Sequence, residues 1–201
     1  MSQILTATPS SKPVVLARRA FGLALTAALT SILAAACTET SDTAASAADS
    51  ELATYQAEEI LVDEHLAKFD TLDFDVFTNQ KWDRLSESHS DNVLVHWPDG
   101  RTTTGIEPHI VDLKGLFVAA PDTRIQVHPV KIGQGEYTSV TGIFEGTFTQ
   151  PMPMADGTSI PPTGKSFKLL MNTVGHWKDG KMDEEWLFWD NLTYMKQLGL
   201  M

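Results

Sequence analysis

The stretch that decides the fold is residues 165–190, which read KSFKLLMNTVGHWKDGKMDEEWLFWD. Polar and apolar side chains alternate along much of it, and a period of two is typical of β-strands with one buried face. The residues KDG near its middle predict a tight hairpin turn. We therefore expect two long antiparallel strands that follow each other directly.

The same period extends back through TRIQVHPVKI (residues 123–132) and GEYTSVTGIFEGTFTQ (residues 135–150). Consecutive strands joined by short turns predict an antiparallel sheet. Glycines recur along this part of the chain, at positions 133, 135, 142 and 146. They predict β-bulges that curl the sheet around a cavity.

The preceding part of the chain has helical periodicity. Apolar residues recur from Leu52 to Phe69, with Ser50 as a candidate N-cap, and further helices are predicted within residues 73–89 and 105–117. DNVLVHW (residues 91–97) predicts a strand between them. Helices followed by a run of strands predict an α+β fold, with the helices packed on one side of the sheet.

Residues 1–36 have the composition of an export signal. They contain three basic side chains and no acidic one, and the uncharged run AFGLALTAALTSILAAA leads to Cys37. LAAAC (residues 33–37) resembles the lipobox of bacterial lipoproteins, which implies that Cys37 is lipidated and becomes the mature N-terminus. The alternative is an ordinary secretory signal that leaves a free thiol. We expect a protein that is lipid-anchored at the bacterial cell envelope, facing the periplasm, and that contacts the membrane through this lipid only.

Residues 37–50 are small and polar, so they predict a disordered tether before a domain that spans residues 51–201. From Cys37 onward the chain carries all 26 acidic and 12 of the 15 basic side chains, a net charge of −14. Such a surface repels nucleic acid, which makes nucleic-acid binding a poor prediction. The six histidines show no close ligand pairing in the sequence, so no metal and no cofactor are expected.

Two segments carry a family resemblance: DGKMDEEWLFWDNLTYMKQLG (residues 179–199) and TTTGIEPHIVDLKGLF (residues 102–117). They resemble the SnoaL-like polyketide cyclases and ester cyclases over about residues 55–200. The resemblance implies the cone-shaped nuclear transport factor two-like fold, a curved, mainly antiparallel sheet packed against N-terminal helices around a cavity. It also implies a possible homodimer. The family's catalytic Asp and His fall on Leu187 and Thr173, which counts against ordinary cyclase chemistry.

The candidate site follows from strand alternation. Glu185 shares a face with Leu187 and Trp189, and the family comparison turns this face toward the cavity. A Gly bulge in the KDG turn would place Thr173 opposite Leu187, whereas a plain two-residue turn would shift this pairing by one. On a wall that also holds Met171, the pKa of Glu185 would rise toward neutral, which suits a general base. The alternative is a solvated Glu185 at the rim of the cone.

Three further residues complete the candidate set. Asp190 is a second catalytic candidate, although it stands where it or Asn191 would cap the last helix. His96 ends the first strand beside Trp97 and is a candidate proton relay, although a hydrogen-bonded structural histidine is the simpler interpretation. On the opposite face of the last strand, Trp186 and Phe188 are expected to be core residues between the sheet and the helices.

Two functions from different classes fit these residues. The first is acid/base catalysis, as in isomerisation, cyclisation or hydrolysis, on a small, mostly apolar carbonyl or ester compound without a cofactor. The second is a non-catalytic periplasmic domain for small-molecule binding or assembly, which Leu187 and Thr173 favour.

Overall fold

The computed structural model describes residues 31–154 and 156–201, and the side chains from residue 45 onward. The predicted signal at residues 1–36 lies almost entirely outside this part, as does the side chain of Cys37. The chain divides into two units, Met1–Ala48 and Asp49–Met201, and the account below concerns the second. No helix in the described part is long and apolar enough to cross a membrane.

Three α-helices frame the fold: α1 (Ser31–Thr71), α2 (Ile106–Ala119) and α3 (Asn191–Leu198). A π-helical segment, Leu72–Phe77, continues α1, and a 3₁₀ turn, Trp82–Glu87, follows it. The bounds of α1 include residues 37–50, which differs from the predicted irregular tether; alanine, the strongest helix former, is the commonest residue there. The unit boundary at Asp49 lies near the predicted domain start, and the role of residues 37–50 as a tether stays a prediction.

Seven strands form the main sheet: β1 (His89–His96), β2 (Thr102–Thr104), β3 (Arg124–Ile125), β4 (Val130–Gln134), β5 (Tyr137–Thr147), β8 (Ser166–Lys178) and β9 (Lys181–Trp189). Their order is β2-β1-β9-β8-β5-β3, and β4 also pairs with β5. The pairing is antiparallel except between β1 and β9. A separate small hairpin holds β6 (Met152–Pro153) and β7 (Ser159–Ile160). The α+β fold with a curved, mainly antiparallel sheet is confirmed.

The hairpin of β8 and β9 has the register of the bulged alternative. Thr173 pairs with Leu187, and Gly175 pairs with Glu185. The turn itself is plain, because Asp179 and Gly180 both have positive φ, 52° and 73°, as a two-residue turn of type I′ requires. The shift in register lies further along, at His176 and Trp177. Of the two registers that the sequence left open, the structure has the one that pairs Thr173 with Leu187, although the turn is plain and the irregularity lies in the strands.

The glycines of the sheet do not form the predicted bulges. β5 pairs with β4 and with β8 without interruption past positions 133, 142 and 146. These glycines make room for neighbours instead. A Cβ at Gly146 would lie 2.9 Å from the Phe167 ring, and a Cβ at Gly142 would lie 2.9 Å from Ile125 Cγ2. The side chains of the neighbouring strands can therefore pack closely over β5.

The inner face of β9 agrees with the prediction, whereas its outer face does not. Leu187 is buried in the core, whereas Phe188 is 52% exposed on the outer face of the sheet. Trp186 is half-buried and stacks on His96, with the ring centroids 5.1 Å apart. The prediction that Trp186 and Phe188 are core residues is wrong, because the helices cover only the face that holds Glu185 and Leu187.

Candidate active site

A small cavity of about 30 Å³ lies between the inner face of the sheet and the helices. Apolar side chains form most of its wall, with contributions from α1, α2, β8 and β9. Four ionisable side chains also line it, those of Asp73, His89, His109 and Glu185. A single water molecule needs about 10–15 Å³ by this measure, so the space suffices for about two water molecules. A larger ligand therefore requires side chains to move.

Glu185 stands at the centre of this polar group. Its carboxylate is buried, with 3% of the residue exposed, and two histidines face it from different elements. His109 Nε2 lies 3.0 Å from Oε1, and His89 Nε2 lies 3.7 Å from Oε2. The His109 contact is close but not aligned as a hydrogen bond, so Oε1 has no aligned donor among the described residues. Buried carboxylates are tolerated only when charge or hydrogen bonds compensate them, and these histidines provide that compensation.

The two histidines are held from behind in different ways. His89 Nδ1 lies 2.9 Å from Ser88 Oγ and 3.4 Å from the Leu85 carbonyl oxygen. The Ser88 hydroxyl can donate to Nδ1 of His89, the nearer of its two acceptors, which leaves the ring proton on Nε2, toward Glu185. His109 lacks such a partner. Its Nε2 faces Glu185, and its buried Nδ1 has no partner among the described residues.

The pKa of Glu185 moves in the direction opposite to the prediction. Burial alone raises the pKa of a carboxyl group, as the sequence argument assumed. The close contacts of the carboxylate with His109 and His89 outweigh burial, and they hold the pKa of Glu185 well below its ordinary value. Glu185 is therefore a carboxylate at neutral pH. A weakly basic anion of this kind suits the role of a partner to a histidine better than that of a base.

His89, His109 and Glu185 also have the residue types of a metal site. Each offers one ligand atom, and the three atoms lie within 4.8 Å of one another, which is the composition of a two-histidine, one-carboxylate site. A cation would have to enter the 3.0 Å contact between His109 and Glu185. Ligating histidines almost always donate their other ring N–H to a partner, and His109 Nδ1 has none among the described residues. Direct sharing of a proton fits these groups better than metal binding does.

The structure brings together most of the predicted cavity residues. Met171, Thr173, Leu187 and Trp189 line the same cavity as Glu185. Trp97 lies beside the cavity: its ring is 5.8 Å from that of His109 and 6.4 Å from that of Trp189. Its indole Nε1 donates to Thr103 Oγ1, so this tryptophan buttresses the wall.

Two predicted catalytic residues lie away from the cavity. His96 lies on the outer face, where its Nε2 is 2.7 Å from Glu184 Oε1. The alternation of buried Val93, Val95 and Trp97 turns His96 outward. Asp190 caps α3, because its Oδ1 accepts from the Thr193 backbone N–H at 3.0 Å. The capping role is confirmed, whereas neither residue contacts the cavity group.

Sequence reasoning missed His89, His109 and Asp73. The predicted helix at residues 105–117 did contain a signal for His109, because this residue lies four positions before Leu113 and shares its buried face. The inward direction of His89 could not be predicted from alternation, because the pairing of β1 with β9 is irregular between His89 and Leu94. Asp73 lies in the π-helical segment, for which no sequence pattern was available.

The comparison with known families decides the relationship. The model of the SnoaL-like polyketide cyclases matches residues 70–198 of this chain, close to two thirds of its length. This chain belongs to the SnoaL-like polyketide cyclase family. The match begins in the last turn of α1 and continues through β9 into α3, so it includes all four ionisable residues of the cavity.

Solved structures of other members share the fold. The first is a protein from Jannaschia sp. CCS1 that is assigned to the SnoaL-like polyketide cyclases. It is 20% identical to this chain, with a TM-score of 0.60, and the match covers 69% of this chain and 94% of that one. IdmH of Streptomyces antibioticus, assigned as a polyketide cyclase, is 20% identical, with a TM-score of 0.57 and coverage of 69% and 98%. A SnoaL-like polyketide cyclase of Agrobacterium tumefaciens C58 is 22% identical, with a TM-score of 0.52 and coverage of 69% and 98%. No curated protein matches this SnoaL-like chain by sequence.

The pair of positions expected to be catalytic in the family lies in the cavity without the expected side chains. Thr173 and Leu187 face each other across the hairpin, and both line the cavity. This SnoaL-like chain has its ionisable groups elsewhere on the same wall, at Glu185, one place along the strand face, and on β1 and α2.

Proposed function

We propose that this SnoaL-like protein catalyses a cyclase- or isomerase-type proton transfer next to the carbonyl group of a small, mostly apolar compound. The observation that carries the proposal is the buried Glu185 carboxylate with two histidines in an otherwise apolar cavity. Buried ionisable groups are unfavourable for stability unless they are compensated, and they concentrate at functional sites. The family membership supports the reaction class.

His109 is the base in this proposal. With its proton on Nε2, toward Glu185, the unpartnered Nδ1 presents a lone pair. It removes a proton from the carbon next to the carbonyl, and the electrons of the broken C–H bond form the enolate. Glu185 stabilises the imidazolium that results, as a carboxylate does for a catalytic histidine. Return of the proton to another carbon completes an isomerisation, and attack of the enolate carbon on a second carbonyl completes a cyclisation.

The test is proton exchange in D₂O on a panel of small β-keto esters, 1,3-diketones and cyclic enones, followed by ¹H NMR. Wild-type protein is expected to accelerate loss of the α-proton signal for at least one member. His109→Asn removes the base, and Glu185→Gln removes its anionic partner. Each variant should lower that rate by roughly two to four orders of magnitude.

Glu184→Gln is the matched control, because this neighbouring glutamate lies on the outer face and contacts His96. It should keep the wild-type rate. If wild-type protein accelerates none of these exchanges, or if Glu185→Gln keeps full activity, the catalytic proposal fails.

The second candidate is a non-catalytic binding domain, and Leu187 with Thr173 at the family's catalytic positions favours it. A binding domain should take up a small apolar carbonyl compound without exchanging its protons. Isothermal titration with any panel member that binds, combined with the exchange measurement, separates the two functions.

We also propose that the protein is exported and anchored by a lipid on Cys37, with the domain facing the periplasm. The run AFGLALTAALTSILAAA before Cys37 supports this. Homodimer formation stays a proposal as well. Exposed Leu170 and Phe188 on the outer face of the sheet support it, and sedimentation velocity at several concentrations would contradict it by showing a monomer throughout.

A further inference from the structure

A second group of ionisable side chains leads from the cavity to the surface. Asp73 lines the cavity and is almost fully buried. Its Oδ2 lies 2.8 Å from His128 Nε2, and His128 Nδ1 lies 2.8 Å from Asp70 Oδ1. Asp70 is about one-third exposed and contacts Lys131 Nζ at 2.6 Å. Three side chains in unbroken contact therefore connect the cavity with the solvent.

The backbone around Asp73 supports a role beyond packing. Asp73 lies in the π-helical segment Leu72–Phe77. Such segments are rare in proteins, and those that occur are often found at functional sites. The change from α- to π-helix follows directly after Thr71, and Asp73 lies on the cavity side while Asp75 reaches Lys81 and Arg84 outside. The contact with His128 uses Oδ2 of Asp73, which leaves Oδ1 for a ligand.

His128 is shielded from water along this route. Its side chain is 2% exposed, and the rings of Phe69 and Phe74 pack against it at 6.0 and 4.4 Å. A structural ion pair would need only one of the two carboxylates. An imidazole with a carboxylate on each nitrogen can accept a proton on one side and release one on the other.

We propose that Asp73 is a second catalytic residue of the cavity, a proton donor to the substrate oxygen, and that His128 and Asp70 reload it from the solvent. The proposal rests on the proposed function, because Asp73 needs a carbonyl oxygen to act on. As His109 takes the carbon-bound proton, the carbonyl oxygen accepts the Asp73 proton and the enol forms. When the enol leaves the cavity with this proton, Asp73 is left ionised and His109 protonated. His109 then loses its proton to water, His128 returns a proton to Asp73, and Asp70 passes one from water to His128.

The charges around these groups agree with this direction of transfer. Burial raises the pKa of Asp73, although its bonds to His128 act the other way. Burial lowers the pKa of His128, but Asp73 and Asp70 outweigh it and the pKa is raised. The other charged groups that act on the pair are Glu185, His89 and Lys131. The raised pKa of Asp73 suits a proton donor, and the lowered pKa of Glu185 suits the anionic partner of the base His109.

The experiment uses the same exchange assay, at low and at high concentration of imidazole buffer. Asp73→Asn should lower kcat at least tenfold with little change in KM, because it keeps the shape and removes the proton. Asp70→Asn should lower kcat at low buffer, and added imidazole should restore it, because a small buffer replaces the relay. Rescue by buffer is a readout that a purely structural role would not produce.

Asp75→Asn is the matched control for Asp73→Asn, since it changes the same residue type in the same π-helical segment outside the cavity. Lys131→Met is the control for Asp70→Asn, because it removes the Asp70 salt bridge but not the route through His128. Both should keep the wild-type kcat. If Asp73→Asn keeps full activity, or if imidazole does not rescue Asp70→Asn, the relay is overturned while the function of His109 and Glu185 stands. If wild-type protein exchanges no panel member, both proposals fall together.

Discussion

The ionisation of the Glu185 side chain makes the stability of the fold depend on pH. Its carboxylate is enclosed by protein and has two histidines as compensation. Because its pKa is lowered on folding, the ionised form contributes stability above the unfolded value of 4.5, and this contribution is lost as the pH falls through the folded value. A carboxylate of this kind stabilises the fold at neutral pH, contrary to the behaviour of an uncompensated buried charge.

We therefore expect Glu185→Gln to lower the free energy of unfolding by about 2 kcal/mol at pH 7, because the amide loses the charge that pairs with His109 and His89. The difference from wild type should shrink as the pH falls below about 4.5, the unfolded value. Urea unfolding at several pH values measures both. A variant that is as stable as wild type at pH 7 would show that the histidines do not compensate the charge.

The sequence predicts one residue of the site well and its partners poorly. Alternation places Glu185 on the same face as Leu187, because side chains on a strand repeat every two residues, and the family resemblance turns that face toward the cavity. His89 and His109 are 96 and 76 positions earlier in the chain, and only the packing of β1 and α2 on the hairpin brings them near. The direction of the Glu185 pKa shift depends on those partners, so burial alone gave the wrong sign.

At the scale of elements, close packing is achieved through glycines. Gly146 lies in β5 opposite Phe167, and a Cβ there would come within 2.9 Å of that ring and 3.1 Å of Thr123 Oγ1. Gly115 lies in α2, where an added Cβ would meet nothing within 4 Å. These two positions separate the packing effect of a methyl group from its effect on backbone freedom.

Gly146→Ala should lower the free energy of unfolding by about 1–3 kcal/mol, because the methyl group forces a rigid ring to shift. Gly115→Ala should raise it by about 0.5–1 kcal/mol, because alanine is favoured over glycine inside a helix. Thermal and urea unfolding of both variants measures the two signs. Equal effects at the two positions would contradict the packing argument.

Element types were more predictable than their details. The hairpin of β8 and β9, the helix α2 and the cap of α3 follow from residue pattern and turn chemistry. The sheet is curved as predicted, but the glycine bulges predicted as the cause are absent from the pairing of β5 with β4 and β8. Bulges depend on register between paired strands, which the local sequence does not determine. The π-helical segment that carries Asp73 depends on tertiary packing and has no local signature in the sequence.

At the scale of the whole molecule, the lipid anchor can be tested separately from the fold. Cys37 is the sole cysteine and precedes the unit Asp49–Met201. Cys37→Ser should move the protein from the membrane fraction to the soluble fraction, and its unfolding temperature should not change because no disulfide is lost. Fractionation of the host cell and mass spectrometry of the mature N-terminus measure this. A wild-type chain without an acylated Cys37 would contradict the proposal.

The parallel pairing of β9 with β1 has a consequence for how the chain acquires its structure. β9 lies between β1 and β8, and among the strands of this sheet it comes last in the sequence, so the other strands are synthesised before the middle of the sheet can form. Contact order is high for this pairing, which favours slow folding. Until residues 181–189 dock, β1 and β8 each present an open edge that can pair with other chains. The strand that brings Glu185 also closes those edges, so the polar group of the cavity and resistance to aggregation arise in the same folding step.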